Sequence, residues 1–214
     1  MAQAGPVMAE LRFADSETLA DLATYVVRAR SLDRDGAIRL RSHGMTLAAY
    51  VDVLPGREPA MTGAVIGLRI MALAEPADVD ATVSLASVSD RLARDAGSIL
   101  SVPPTTVRVG WAAVAPPRSG WEVVGELTVE DLRTVATQGI AEITEGVPPG
   151  SGAQVVAAMR ARVWARDSRT VPPIPSGAAF AAYALGFLTQ QRAQVFAHGG
   201  WTRLSTVSGH VLVR

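Results

Sequence analysis

The last sixteen residues, GGWTRLSTVSGHVLVR (199–214), decide the fold. Two short runs alternate apolar with polar side chains on either side of Val207-Ser208, and a Gly-Gly pair precedes them. Period two is the pattern of a half-buried strand. A two-residue turn at Val207-Ser208 pairs Leu204 with Val211 and Thr202 with Val213. A turn at Gly199-Gly200 pairs Val195 with Leu204 and Ala197 with Thr202. The expectation is a three-stranded meander near 193–198, 201–206 and 209–214. One face then carries Val195, Ala197, Thr202, Leu204, Val211 and Val213. The other carries Phe196, His198, Trp201, Arg203, His210, Leu212 and Arg214. A slip of one residue would exchange the faces.

Upstream of the meander, residues 177–188 are almost wholly apolar and read as a buried helix, and 153–166 as a second one. Residues 147–152 read as a linker. Thr128 opens a helix to about Glu145, with Glu130 and Asp131 near its positive end and Gly139 as an interruption. Nearer the start, 7–13 reads as a strand, and the helix that follows begins around Ser16. In 36–54, His43-Gly44 is read as a tight hairpin turn pairing Leu40 with Leu47 and Ile38 with Ala49. Residues 64–74 are apolar on both faces apart from Arg69, as in a central strand. Asp80 is read as the cap of a helix over 82–94, and 105–114 as another strand. The expected class is α+β, an antiparallel sheet with packed helices. It is read as one domain over 1–214, with 1–146 and 153–214 as candidate subdomains.

The chain has 214 residues, long enough for one sizeable core. All twenty basic residues are Arg, and Cys, Lys and Asn are missing. Lysine-dependent phosphate or Schiff-base chemistry is therefore excluded, as are thiol nucleophiles, disulfides and Cys-ligated metals. No apolar run is long enough for a membrane-spanning helix, and the first residues have no signal-peptide pattern. A cytoplasmic protein without a membrane partner is expected. Net charge is zero but uneven: 160–214 carries seven Arg against one acid, and 1–159 thirteen Arg against nineteen acids. A basic terminal region can meet nucleic acid or another polyanion, or the acidic part of a second copy.

Catalytic signatures are sparse. Ser119 and Ser151 are loop serines outside any G-x-S-x-G elbow. His43, His198 and His210 have no metal-ligand spacing, and no cofactor or metal is expected. Glu142 and Glu145 share a helix side, as many solvated pairs do. The loop APPRSGWE (115–122) stands out: Arg118 beside Trp121 can contact an anion, a base or a peptide, or Trp121 can plug a core edge. The meander face poses the same choice between an interaction face and a face covered by a helix. A winged helix is excluded because residues 178–188 offer a DNA groove almost no polar side chains.

The strings PPRSGWE, GAAFAAYALGFL and WTRLSTVSGHVLVR resemble a group of conserved hypothetical proteins from GC-rich actinobacteria. The resemblance implies a cytoplasmic protein and assigns no catalytic or binding residue. The leading functional expectation is a non-catalytic protein-interaction or regulatory module that meets a protein partner or another copy of itself. Its candidate contacts are Arg118, Trp121, His198, Trp201, Arg203, His210 and Arg214. The alternatives are a polyanion or nucleic-acid binder and a small-molecule hydrolase using one of the three histidines.

Overall fold

The computed structural model describes residues 9–57, 60–95, 97–113 and 115–214. It divides into two compact units, one formed by 1–51 and 68–113 and the other by 52–67 and 114–214. The class is α+β with antiparallel pairing in each.

In the first unit, β1 (Glu10–Arg12) pairs with β5 (Ile99–Ser101), placing Leu11 opposite Leu100, both fully buried. Helix α1 (Ser16–Leu32) starts where Asp15 accepts the Thr18 N–H at 2.7 Å. That bond lowers the Asp15 pKa. Leu19, Leu22, Tyr25, Val26 and Ala29 form its buried stripe. Strand β4 (Asp80–Ser84) pairs with β2 (Ala37–Leu54), whose other neighbour is β3 (Val65–Ala77). Helix α2 (Leu85–Arg94) follows, capped by Ser84, whose hydroxyl accepts the Ser87 N–H at 3.1 Å.

Four expectations fail here, each for a visible reason. His43-Gly44 is not a turn, because β2 runs straight through it. A type I′ turn needs positive φ at both central residues. Gly44 has φ +56, but among the described non-glycine residues only Met61 has positive φ. Inward positions shift from 38, 40 and 42 to 47, 49, 51 and 53, as when a bulge absorbs one residue. Ile38, Leu40, Leu47 and Ala49 are nevertheless all fully buried. Asp80 caps no helix. It sits in β4 and takes Arg39 in a two-pronged ion pair, with Nε to Oδ1 at 2.7 Å and Nη2 to Oδ2 at 2.8 Å. Those bonds lower its pKa, and the helix start moves to Ser84. The strand expected over 105–114 does not form over its described residues, 105–113. Thr106 makes one bridge to Val83, then Gly110–Ala113 turn as a 3-10 segment that buries Trp111. Finally, β3 is buried on both faces only at its start, and Ile70 is 51% exposed.

In the second unit, β6 (Glu122–Thr128), β7 (Arg192–His198), β8 (Trp201–Thr206) and β9 (Gly209–Val213) lie side by side in that order. The chain end is tied down by Gly63 N–H to Arg214 O at 2.7 Å and Arg214 N–H to Ala64 O at 3.1 Å. Helices α3 (Val129–Gly146), α4 (Ala153–Trp164) and α5 (Ser176–Ala184) complete the unit. Thr128 caps α3 by accepting the Asp131 N–H. α5 stops at Ala184, short of the expected Leu188, because Gly186 at φ +72 closes it. The N–H groups of Gly186 and Phe187 return to the Tyr183 and Ala182 carbonyls. Phe187 then lies flat against Gly209, where an added Cβ would sit 2.6 Å from its ring.

Gly139 does not break α3. It makes room for Trp164, which stacks on Phe180 with centroids 4.4 Å apart. A methyl at Gly139 would fall on the indole. Alanine in place of glycine gains about 1 kcal/mol in a helix interior, and overpacking costs about 1–3 kcal/mol. Gly139→Ala is therefore expected to lower the urea midpoint, and a raised midpoint would refute the close packing.

Candidate binding face on the C-terminal sheet

The meander forms with the expected register. Val195 faces Leu204, Ala197 faces Thr202, Leu204 faces Val211 and Thr202 faces Val213. Val195, Leu204, Val211 and Val213 are buried, and α5 packs against β9. β6 was not anticipated from the sequence. It adds a fourth strand, with Val123 opposite Phe196 and Leu127 opposite Ala193.

Register alone arranges the opposite face in rows about 7 Å apart. The middle row is Val123, Phe196, Arg203 and Leu212. One neighbouring row has His198 beside Trp201, and Arg214 beyond them lays its guanidinium 5.3 Å from the Trp201 ring centre. The other has Gln194, Ser205 and His210, with Glu126 beside Gln194.

The 115–121 loop folds onto this lattice. The Trp121 indole N–H donates to Pro117 O at 3.0 Å, closing the loop on itself. His198 Nδ1 lies 2.6 Å from Gly120 O, and a carbonyl only accepts, so Nδ1 carries the proton. Gly120 has φ +78, and a Cβ there would sit 2.8 Å from His198 Cε1, so glycine is required twice over. Trp121 thereby reaches both His198, at 6.0 Å between ring centres, and Arg203.

Arg203 is the centre of the site. Its guanidinium carbon lies 4.6 Å from the Trp121 ring centre and 4.1 Å from that of Phe196. Each such contact is worth ~0.5–2 kcal/mol, more as water is excluded. Its Nε is buried without a hydrogen-bond partner, and it pairs with no acid among the described residues. Burial lowers its pKa, since the cation loses hydration without gaining a counter-charge. His210 Nδ1 lies 2.9 Å from Ser205 Oγ. Burial first, and Arg203 second, lower the His210 pKa.

Trp121, His198, Trp201, Arg203, His210 and Arg214 are thus joined in one lattice, and two surfaces read separately in the sequence are a single one. Arg118 is exposed on the loop and makes none of these contacts. His198 and His210 do not meet. They are two strands and four residues apart, about 16 Å by strand geometry. His43 is exposed in β2. No group of three His or acidic residues among the described residues could hold a metal.

The charge asymmetry of the sequence is not an asymmetry between units. Arg192 pairs with Glu126 at 3.4 Å, and Arg166 pairs with Glu142. Assigning charges by unit gives ten Arg against eleven acids in the first and ten against nine in the second. Two of the seven tail arginines, Arg166 and Arg192, pair with acids of their own unit, and Arg203 and Arg214 are in none of the ion pairs among the described residues.

Residues 7–113 match the model of a domain of unknown function, DUF8010, and residues 116–214 that of a second, DUF8185. The first match spans half of the chain, which therefore belongs to the DUF8010 family. No curated protein matches the sequence. Among solved structures, the fold is similar to a DNA polymerase sliding clamp from Pseudomonas aeruginosa, with TM-score 0.50 and 8% identity. That likeness covers 96% of this chain and 64% of the clamp. It is also similar to the DNA polymerase III beta chain from Streptococcus pneumoniae, with TM-score 0.52 and 8% identity over 100% of this chain and 65% of that one. The chain spans just under two thirds of the length of these proteins, and at such identity the likeness is one of fold.

The folded state binds a proton at His210 less readily than the unfolded chain does. Its contribution to stability is complete above the ordinary imidazole value of 6.5 and falls as pH drops below it. The His210 ring is expected to titrate below 6.5 by NMR, and Arg203→Gln to raise its midpoint. An unmoved midpoint would remove Arg203 from its surroundings.

Proposed function

We propose that the protein is a non-catalytic protein-interaction module whose contact face is Trp121, Phe196, His198, Arg203 and Arg214, set over the buried Trp201. The observation that carries this reading is Arg203, set against two rings, stripped of part of its hydration and without an acid partner among the described residues. A desolvated, unpaired guanidinium gains most when a partner completes its hydrogen bonds. Trp and Arg are also the residue types that dominate binding energy at protein interfaces. Around them, Val123 is 67% and Val124 49% exposed on the adjoining strand, giving apolar area beside the cations. A fold like that of DNA polymerase sliding clamps supports a role in assembly with other proteins, by analogy of fold alone. Internal pairing of Arg166 and Arg192 weighs against a polyanion role for the tail.

Site-specific photo-crosslinking in host cells tests this. A photoreactive residue at Val123 is expected to give a discrete protein adduct, heterologous or with another copy. One at Val27, 63% exposed on α1, is expected to give none. Arg203→Glu is expected to cut the Val123 adduct at least tenfold, a charge reversal at a contact centre costing more than 1.4 kcal/mol. Equal adducts at both positions, or indifference to Arg203→Glu, would overturn the reading.

A further inference from the structure

We infer that the Trp121–Arg203–Phe196 stack is a carboxylate-binding site that takes an Asp or Glu side chain, flanked by an apolar residue, from an extended segment of a partner protein. The inference rests on the interaction-module reading and gives its partner a chemistry.

Three observations lead to it. The first is geometric. Ring centres at 4.6 and 4.1 Å hold the Arg203 guanidinium in place without supplying a hydrogen-bond acceptor. A fixed planar fork matches the two oxygens of a carboxylate. Nε is buried without an acceptor, and the guanidinium pairs with no acid among the described residues, so the carboxylate is taken by its Nη end.

The second is electrostatic. Strands β6 to β9 contain only two acids, Glu122 and Glu126. Glu126 is held by Arg192. Glu122 is opposite Ala197, the position next along β7 from Phe196, and so belongs to the other side of the sheet. Arg203 and Arg214, in neighbouring rows, are in no ion pair among the described residues. An incoming carboxylate supplies a counter-charge, and complementary charge raises both specificity and association rate.

The third is the apolar margin. Val123 shares a row with Arg203, with β7 between them, which places it about 10 Å away. An extended chain covers that span in about three residues. A free anion would leave Val123 and Val124 in water, whereas an apolar residue two or three positions from the acid would cover them. This is why the occupant is a peptide segment and not a small ion.

The test uses the full-length protein and fluorescein-labelled eight-residue peptides carrying one Glu two or three residues from a Leu or Phe. Matched peptides carry Gln in place of Glu, and binding is read by fluorescence anisotropy. At least one Glu peptide is expected to bind ten-fold or more tightly than its Gln counterpart. Arg203→Gln is expected to erase that preference. Arg203→Lys should not restore it, because an ammonium keeps the charge but not the stacked fork. Arg28→Gln, which alters only an exposed side chain of α1, should leave it unchanged, and thermal melts check that every variant is folded. Four results would overturn the assignment: no peptide binds, Glu and Gln peptides bind alike, the preference survives Arg203→Gln, or inorganic phosphate competes as well as the free peptide does. If the Val123 adduct persists through any of these, the interaction face stands and only the carboxylate assignment falls. If the adduct is also missing, both fall.

Discussion

Pairing of β7, β8 and β9 in one register is the constraint on which the second unit depends. Gly199 and Gly200, at φ +51 and +82, turn the chain where residues with side chains would be strained. From that turn, every odd position from Val195 to Ala197 meets an even one on β8, and Val211 and Val213 follow on β9. The same pairing buries an apolar face against helices and sets aromatic and basic side chains in rows on the other. Slipping one strand by a residue would send Arg203 toward the core and Leu204 outward, losing both faces together. The pairing is thus held by burial of Val195, Leu204, Val211 and Val213 on one side, with Trp201 and Leu212 buried on the other.

The register leaves Arg203 with an energetic deficit. Several arginines elsewhere find acceptors, although the Arg30 Nε is, like that of Arg203, buried without one. Arg39 takes Asp80 with two prongs, Arg69 reaches Asp21, and Arg133 donates to Leu188 O. Arg203 is held by rings instead, which stabilise the cation but offer no acceptor. The resulting deficit is tolerable because the guanidinium is only partly buried, and water can still reach part of it. The loop bearing Trp121 is latched by its own indole and by His198, so the stack is organised before any partner arrives. Preorganisation of this kind reduces the entropy lost on binding.

Much of this was legible in the sequence, and the failures are instructive. The meander, its register and its two faces followed from period two and turn residues because one side is buried and the signal is strong. The start of α3 followed from Thr128, and that of α1 was read from Ser16, Glu17 and Thr18, one residue past its Asp15 cap. Reading went wrong where a local signal competed with a distant partner. His43-Gly44 has a turn's composition, yet β2 continues between flanking strands and only Gly44 takes positive φ. Asp80 could have capped a helix, but Arg39 offered it a stronger partner. β6 was hidden because Gly125 and a bulge interrupt its alternation, although the β-branched pair Val123-Val124 between Gly120 and Thr128 was a signal. Charge by stretch misled, because Glu126 and Glu142, distant in sequence from the tail, fold back onto it. That Trp121 and Arg203 belong to one site depends on a loop folding onto a sheet, which no periodicity reports.

The central claim is that Arg203 is clamped between Trp121 and Phe196, and the Nε–H correlation of that arginine in a 15N–1H NMR spectrum reports it directly. Ring currents from both faces should shift the proton well upfield of an exposed arginine, and burial should slow its exchange with water. Trp121→Ala should return much of that shift. An Arg203 Nε–H at the position of a solvated arginine, unchanged by Trp121→Ala, would contradict the account.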